Sequence, residues 1–239
     1  MIKKGAIAII PARGGSKRIP KKNIKEFHGS PLISYSIKAA LDSNLFEKVV
    51  VSTDDEEIAK VAKEYGATVP FIRPKALSDD FTGTQAVVDH AIEFFEAQDE
   101  SYEYVCTIYA TAPFLQSKYL KEGYEKLKNS DAVNAFSSTS MPFPIQRTFK
   151  IDIHGRCEMF TPEYYYSRSQ DLEEAYQDAG QFYWTNRSKQ QEIQNTVMFS
   201  DISIPIILPR YLVQDIDTLE DWTRAEYMYQ ALKNSGEIK

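Results

Sequence analysis

The chain has 239 residues, 43% of them hydrophobic, and a formal net charge of −6. That is enough apolar material for a core of ordinary size, and the acidic balance disfavours nucleic acid and anionic membranes, which select basic surfaces. Two cysteines without a C-x-x-C pair and three scattered histidines give neither a disulfide framework nor a zinc set.

In chain order, the first apolar run covers only residues 6–10, too short for a signal-peptide core or a membrane span. No later segment is longer, so a cytoplasmic protein with no membrane partner is expected. From there, β-rich runs alternate with amphipathic stretches, the pattern of βαβ units. The expected fold is α/β, doubly wound on a mainly parallel sheet, a Rossmann-like arrangement. Residues 6–10 suit a strand buried on both faces. Pro31 suits the first turn of a helix whose apolar side holds Leu32, Tyr35, Ile37, Ala39, Ala40 and Leu41. Residues 49–51 make a second strand. Residues 52–55 cap a helix carrying Ile58, Val61, Ala62 and Tyr65, which Gly66 ends. A third strand is expected over 69–72 and a loop over 73–83, after which Thr84 caps a helix through Val87, Ala91 and Phe95. Residues 104–109 form a fourth strand, 117–128 a helix and 132–136 a fifth strand. The rhythm then breaks. Residues 140–176 hold Met141-Pro142-Phe143-Pro144 and Tyr164-Tyr165-Tyr166 with no crossover helix, so an inserted β-rich subdomain is expected within a single domain spanning 1–239. Its aromatic surface fits a subunit interface or packing inside one chain. Residues 181–185 and 202–208 resume the sheet, and a helix over 219–232 presents Trp222, Ala225 and Tyr229 on one side.

Two stretches carry chemistry. "IIPARGGSKRIPKKN", residues 9–23, lies between the first strand and the first helix, at the sheet edge where doubly wound folds bind ligands. Gly14 and Gly15 let backbone approach a ligand, and the amides of such a turn can cradle an anion. From Arg13 to Lys25 the chain has six basic residues and no acidic one. A solvated charged face explains those side chains but not their coincidence with two glycines at a strand end. The pattern is neither Walker A nor G-x-G-x-x-G. Near the other end, Asp215 and Asp217 flank Ile216; in extended chain both face the same way. Helix capping would account for Asp217 alone. The pair instead suits Mg2+, which takes one or two carboxylates together with phosphate oxygens and water. Together the two stretches describe phosphoryl or nucleotidyl transfer.

At this point the chain resembles the CMP-sugar synthetases that activate sialic acid and related nonulosonic acids. The opening loop carries the resemblance, with "VVVSTDD" at 49–55, "IRPKALSDD" at 72–80, "TAPF" at 111–114 and "DIDT" at 215–218 in the same order. The stretches "FIRPKALSDDFTGT" and "YQDAGQFYW" are closest to the branch that makes CMP-pseudaminic acid. The resemblance implies that the anomeric hydroxyl of a nine-carbon 2-keto sugar acid attacks the α-phosphorus of CTP and expels pyrophosphate. It assigns Arg13, Lys17 and Lys22 as catalytic. Ala12, Arg13, Gly14, Ser16, Lys17, Lys22, Asn23, Arg73, Thr84 and Tyr109 would bind the nucleotide, and Asp215 and Asp217 would bind Mg2+. It also implies a homodimer joined through the insertion.

Departures from that family narrow the acceptor. Many sialic acid enzymes have a glutamine where Tyr109 stands, and an Arg-x-Asn-Gly segment where this chain has Gln177-Asp178-Ala179-Gly180. That edge is therefore polar or acidic, and pseudaminate is favoured over N-acetylneuraminate and legionaminate. Gln177, Asp178 and Gln181 become sugar-binding candidates, with structural hydrogen bonding as the alternative for Asp178 and Gln181. Arg147 or Arg168 would supply the donor for the acceptor carboxylate. His28, His90 and His154 are taken as packing or surface residues and Cys106 as a small core hydrophobe. Two other readings compete: a sugar-1-phosphate nucleotidyltransferase, and a nucleotide-binding protein without catalysis.

Overall fold

The computed structural model describes residues 3–193 and 197–238. In order, the elements are β1 (Lys3–Pro11), β2 (Glu26–Phe27), β3 (Ser30–Pro31), α1 (Leu32–Ser43), β4 (Phe46–Ser52), α2 (Glu56–Glu64), α3 (Thr84–Glu96) and β5 (Ser101–Ile108). Then follow α4 (Ser117–Lys128), β6 (Asn134–Ser140), β7 (Phe149–Ile151), β8 (Cys157–Met159), β9 (Tyr176–Asn186), α5 (Arg187–Glu192), β10 (Ser203–Ile207) and α6 (Leu219–Ser235). Six strands form the central sheet in the order β10-β6-β9-β5-β1-β4. The pairs β1/β4, β1/β5 and β6/β10 are parallel, whereas β9 runs antiparallel to both β5 and β6. The sheet is doubly wound and mostly parallel, as expected, with one reversed strand at its centre.

Alternation along β1 shows why both faces are covered. Ala6, Ala8 and Ile10 join a cluster with Leu32, Ile37, Ile58, Leu120 and Trp222, while Ile7 and Ile9 join Val88, Ala91, Ile92 and Phe95 of α3. Successive strand residues point to opposite faces, so an unbroken apolar run needs helices on each side.

The expected third strand is not one. Only two isolated bridges form around residues 69–72, Thr68 with Val50 of β4 and Ile72 with Thr53 just beyond it. Pro70, between them, has no N–H for a ladder. Two helix starts also move. Pro31 precedes α1 instead of opening it, and Gly83 caps α3, with Thr84 the first helical residue and no side-chain cap bond. Asp55 caps α2 as expected, accepting from the amides of Glu57 and Ile58. The fifth strand begins at Asn134, not at 132.

The insertion contains the antiparallel hairpin β7/β8 and leaves its aromatic surface uncovered. Ile153 is 95% exposed and Tyr166 93%, with Phe143, Phe149, Ile151, Phe160 and Tyr165 also exposed. Packing within one chain therefore does not account for these side chains. No helix among the described residues is long and apolar enough to cross a membrane.

Candidate active site

The carboxyl ends of β1 and β5, the start of α3, and the loops over 12–23, 73–82 and 215–218 enclose a cavity of about 530 Å³. Arg13, Ser16, Lys17, Lys22, Asn23, Arg73, Thr84, Tyr109 and Asp217 line it, joined by Arg18, Asp79, Asp80 and Thr82. Of the expected nucleotide residues, Ala12 is in the core with its amide bonded to Ser52 O, and Gly14 lies behind the wall.

The glycine turn is built differently from a backbone cradle. Gly14 N–H donates to Asp54 Oδ1 at 2.9 Å and Ser16 N–H to Gly14 O at 2.9 Å, so these amides are already engaged. Gly14 is required for close approach: a Cβ there would sit 2.7 Å from Asp55 Oδ2. The Gly14 and Ser16 amides are therefore not open to an anion, and the cationic side chains carry more of that capacity. Asn23, buried, donates from Nδ2 to Arg13 O at 2.9 Å and braces the loop.

Although the loop itself has no acidic residue, carboxylates far along the chain reach it and balance its charge. Arg13 Nη1 donates to Asp80 Oδ1 at 2.6 Å and to Asp79 O at 3.0 Å, and Lys17 pairs with the other Asp80 oxygen. Lys17 and Arg13 hold the Asp80 carboxyl below its usual range. Lys21 pairs with Glu57 outside the cavity, and Lys25 lies 4.2 Å from the centre of the Trp222 ring. Asp79 accepts from the amides of Phe81 and Thr82 and from the Thr82 hydroxyl, which fixes the turn that presents Asp80.

Asp217 completes the far wall. Its Oδ2 accepts from Arg18 Nη2 at 2.8 Å, and its Oδ1 lies 3.3 Å from Lys22 Nζ, which also donates to Ile216 O at 2.6 Å. The capping alternative falls to Thr218, which forms a capping box with Asp221 at the start of α6 and leaves the Asp217 carboxylate to the cavity. Asp215 is outside the cavity wall and keeps solvent access. Protein nevertheless crowds it from one side, so desolvation first, and then the Asp217 charge, raises its carboxyl above the usual value.

Arg73 is 4% exposed, and its Nε and Nη2 are shut from solvent with no hydrogen-bond partner. Asp54 Oδ1 is 3.6 Å from Nη2, close enough to balance charge and too long for a hydrogen bond. A buried guanidinium with unused donors is costly unless acceptors arrive from outside. Burial lowers its pKa, and Asp54 opposes the shift.

The sugar candidates separate. Tyr109 lines the cavity and packs against Tyr183 with ring centroids 5.2 Å apart. Tyr183 donates from its hydroxyl to Asp178 Oδ2 at 2.5 Å; burial and that carboxylate push the phenol far up, so it stays a donor. Tyr183 was missed from the sequence, where nothing distinguishes it from neighbouring aromatics. Gln181 is buried; its Nε2 donates to Leu212 O at 2.6 Å, the structural alternative. Gln177 and Asp178 lie beside β6, at a bulge near Ser137. Arg147 contacts Ser169 in a separate cavity of about 450 Å³, and Arg168 pairs with Asp171 in its own turn. None of these five lines the main cavity.

Comparison with known proteins agrees with this geometry. A family profile described as "Cytidylyltransferase" matches residues 7–204. A pseudaminic acid cytidylyltransferase of Campylobacter jejuni is 48% identical over 230 residues, covering 96% of this chain and 98% of that protein. A CMP-N,N'-diacetyllegionaminic acid synthase of Legionella pneumophila is 33% identical, covering 94% and 96%. A solved CMP:2-keto-3-deoxy-manno-octonic acid synthetase complexed with CTP shares the fold at a TM-score of 0.66 and 15% identity, covering 95% of this chain and 99% of that one. With that profile matching most of the chain and relatives 48% and 33% identical over nearly its whole length, the chain belongs to the cytidylyltransferase family.

Proposed function

We propose that this cavity holds CTP and that the protein moves CMP to the anomeric 2-hydroxyl of pseudaminic acid, releasing pyrophosphate, in the cytoplasm. The observation that carries the reading is the meeting of Lys22 and Asp217, 195 residues apart, on one cavity that also holds Arg13, Lys17 and the buried Arg73. Arg13, Lys17 and Lys22 face the triphosphate and offset charge that grows on the phosphoryl oxygens and leaving pyrophosphate, already oriented before reaction. Lys22 is held beside Asp217 by Ile216 O, so its ammonium is placed without a search. Removing Lys22 or Asp217 is expected to lower turnover at least about 10²-fold, measured as pyrophosphate release. Arg73 supplies donors to the cytosine acceptors O2 and N3.

Asp215 and Asp217 suit Mg2+. Desolvation and then the Asp217 charge raise the cost of ionising Asp215, and a hard cation relieves that repulsion. Bound Mg2+ would supply charge neutralisation on the phosphates; the residues orient them.

The acceptor assignment follows relatives in two Campylobacter jejuni strains, 48% and 46% identical, each named pseudaminic acid cytidylyltransferase. Tyr183, touching Tyr109, links the cavity to an acidic edge at Asp178, which suits hydroxyl and amide donors of the sugar. Arg147, outside the cavity of its own chain, serves the neighbouring subunit in a homodimer joined through the exposed insertion. The test is pyrophosphate release with CTP, Mg2+ and, separately, pseudaminic, legionaminic and N-acetylneuraminic acids. Pseudaminic acid is expected to give the highest kcat/KM; background release with all three, in folded protein, rejects the assignment.

A further inference from the structure

The base-facing Arg73 and the glycine turn of the cationic loop are far apart in sequence, yet one carboxylate touches both. Asp54 Oδ1 accepts the Gly14 amide at 2.9 Å and faces Arg73 Nη2 at 3.6 Å. Its neighbour Asp55 does a separate job, capping α2. Arg73 is also fixed through its backbone, donating to Thr53 O at 2.8 Å, so residues 53 and 54 hold it at both ends.

We propose that Asp54 is a positioning residue that sets base selectivity by holding the Arg73 guanidinium in place, and that it couples base recognition to the triphosphate turn through Gly14. The inference rests on CTP being the nucleotide. A guanidinium only donates, so in place it satisfies the acceptors O2 and N3 of cytosine. Uracil presents N3–H instead, and that donor would meet a buried donor with neither satisfied. Sites built on such buried groups reject the mismatched ligand strongly. Discrimination of this kind needs the guanidinium fixed, because a mobile one turns away from the clash. Asp54 is the charged side chain facing it within ion-pair distance among the described residues.

Asp54→Asn tests this, since the amide oxygen still accepts the Gly14 N–H but the charge opposite Arg73 is gone. We expect the CTP-to-UTP ratio of kcat/KM to fall at least about tenfold, with calorimetric affinities for the two nucleotides converging in the same sense. Gly123→Ala, on α4 and away from the cavity, is the structural control: it lowers stability by overpacking and leaves the ratio at the parent value. Arg73→Lys should lower the ratio in the same way, and the double variant should add little, as expected of side chains acting as a unit. If Asp54→Asn does not fold, Asp54→Glu, which keeps the charge but moves it, carries the same comparison. An unchanged ratio in folded protein, or losses that add fully in the double variant, overturns the inference. Failure of the parent to use CTP would instead overturn the activity itself, so the two failures are distinguishable.

Discussion

Asp80 and Asp217 together pair with four basic side chains of the cavity, Arg13, Lys17, Arg18 and Lys22, so the proposed CTP binding would exchange internal carboxylates for phosphates. Asp80→Asn frees Arg13 and Lys17 from that competition. CTP affinity, measured by calorimetry, should rise about two- to tenfold, the modest gain expected from exposed pairs. Asp215 makes the opposite kind of statement, about stability and pH. Its native carboxyl binds a proton more tightly than the ordinary value of 3.8, because of desolvation and then Asp217. A raised acid contributes stability that is present below the unfolded pKa and lost as pH rises through the folded one. Asp215→Asn without metal should therefore raise Tm at neutral pH, with the advantage fading as the pH is lowered past the ordinary carboxylate range. A Tm lower than the parent at neutral pH would contradict the assigned crowding. These residues were visible in the sequence as charges. Their partners were not, because pairs such as Arg13 with Asp80 exist only once two loops fold over one sheet edge.

At the scale of elements, β9 puts no side chain into the main cavity but backs its wall at Tyr109. It runs antiparallel between β5 and β6, and its start carries Asp178 and the positive-φ Gly180, while Tyr183 falls where it can touch Tyr109. Helix α4 lies close against this strand at Gly123, where a Cβ would be 2.9 Å from Trp184 Cδ1 and 3.1 Å from Phe182 Cε2. Both aromatics are fully buried and cannot withdraw into solvent. Gly123→Ala should thus destabilise by about 1–3 kcal/mol on denaturant unfolding, since overpacking outweighs the gain in helix propensity of up to about 1 kcal/mol. Helix α4 was legible to the residue, because apolar spacing repeats on one face. The strand expected over 69–72 was not: four residues around Pro70 offer β-formers, but no ladder forms. Its two bridges nonetheless deliver Arg73 to the cavity.

For the whole molecule, the insertion is where a single chain leaves most undone. Phe149, Ile151 and Ile153 are exposed on or next to β7 and Tyr166 elsewhere in the insertion, exposed apolar side chains of the kind that mark an interface. The proposed homodimer is expected as a dimer by light scattering, and Phe149→Glu combined with Ile151→Glu should convert it to a monomer. If Arg147 serves the opposite cavity, that monomer should also show a raised KM for the sugar acid while its affinity for CTP stays near the parent's. A dimer that survives both substitutions would place the interface elsewhere.

The sequence by itself determined the class of fold and the chemistry of the two ends of the chain. Apolar runs of strand length, helical periodicity and the six basic residues over 13–25 are local properties, and local spacing is sufficient to write them. The tertiary structure alone decided that Asp80 lines the cavity against Arg13, that Asp54 takes the Gly14 amide, that Tyr183 meets Tyr109 as well as Asp178, and that β9 is reversed. Each of these depends on contacts between residues distant in the chain, and no periodicity within a segment encodes which remote segment will lie beside it.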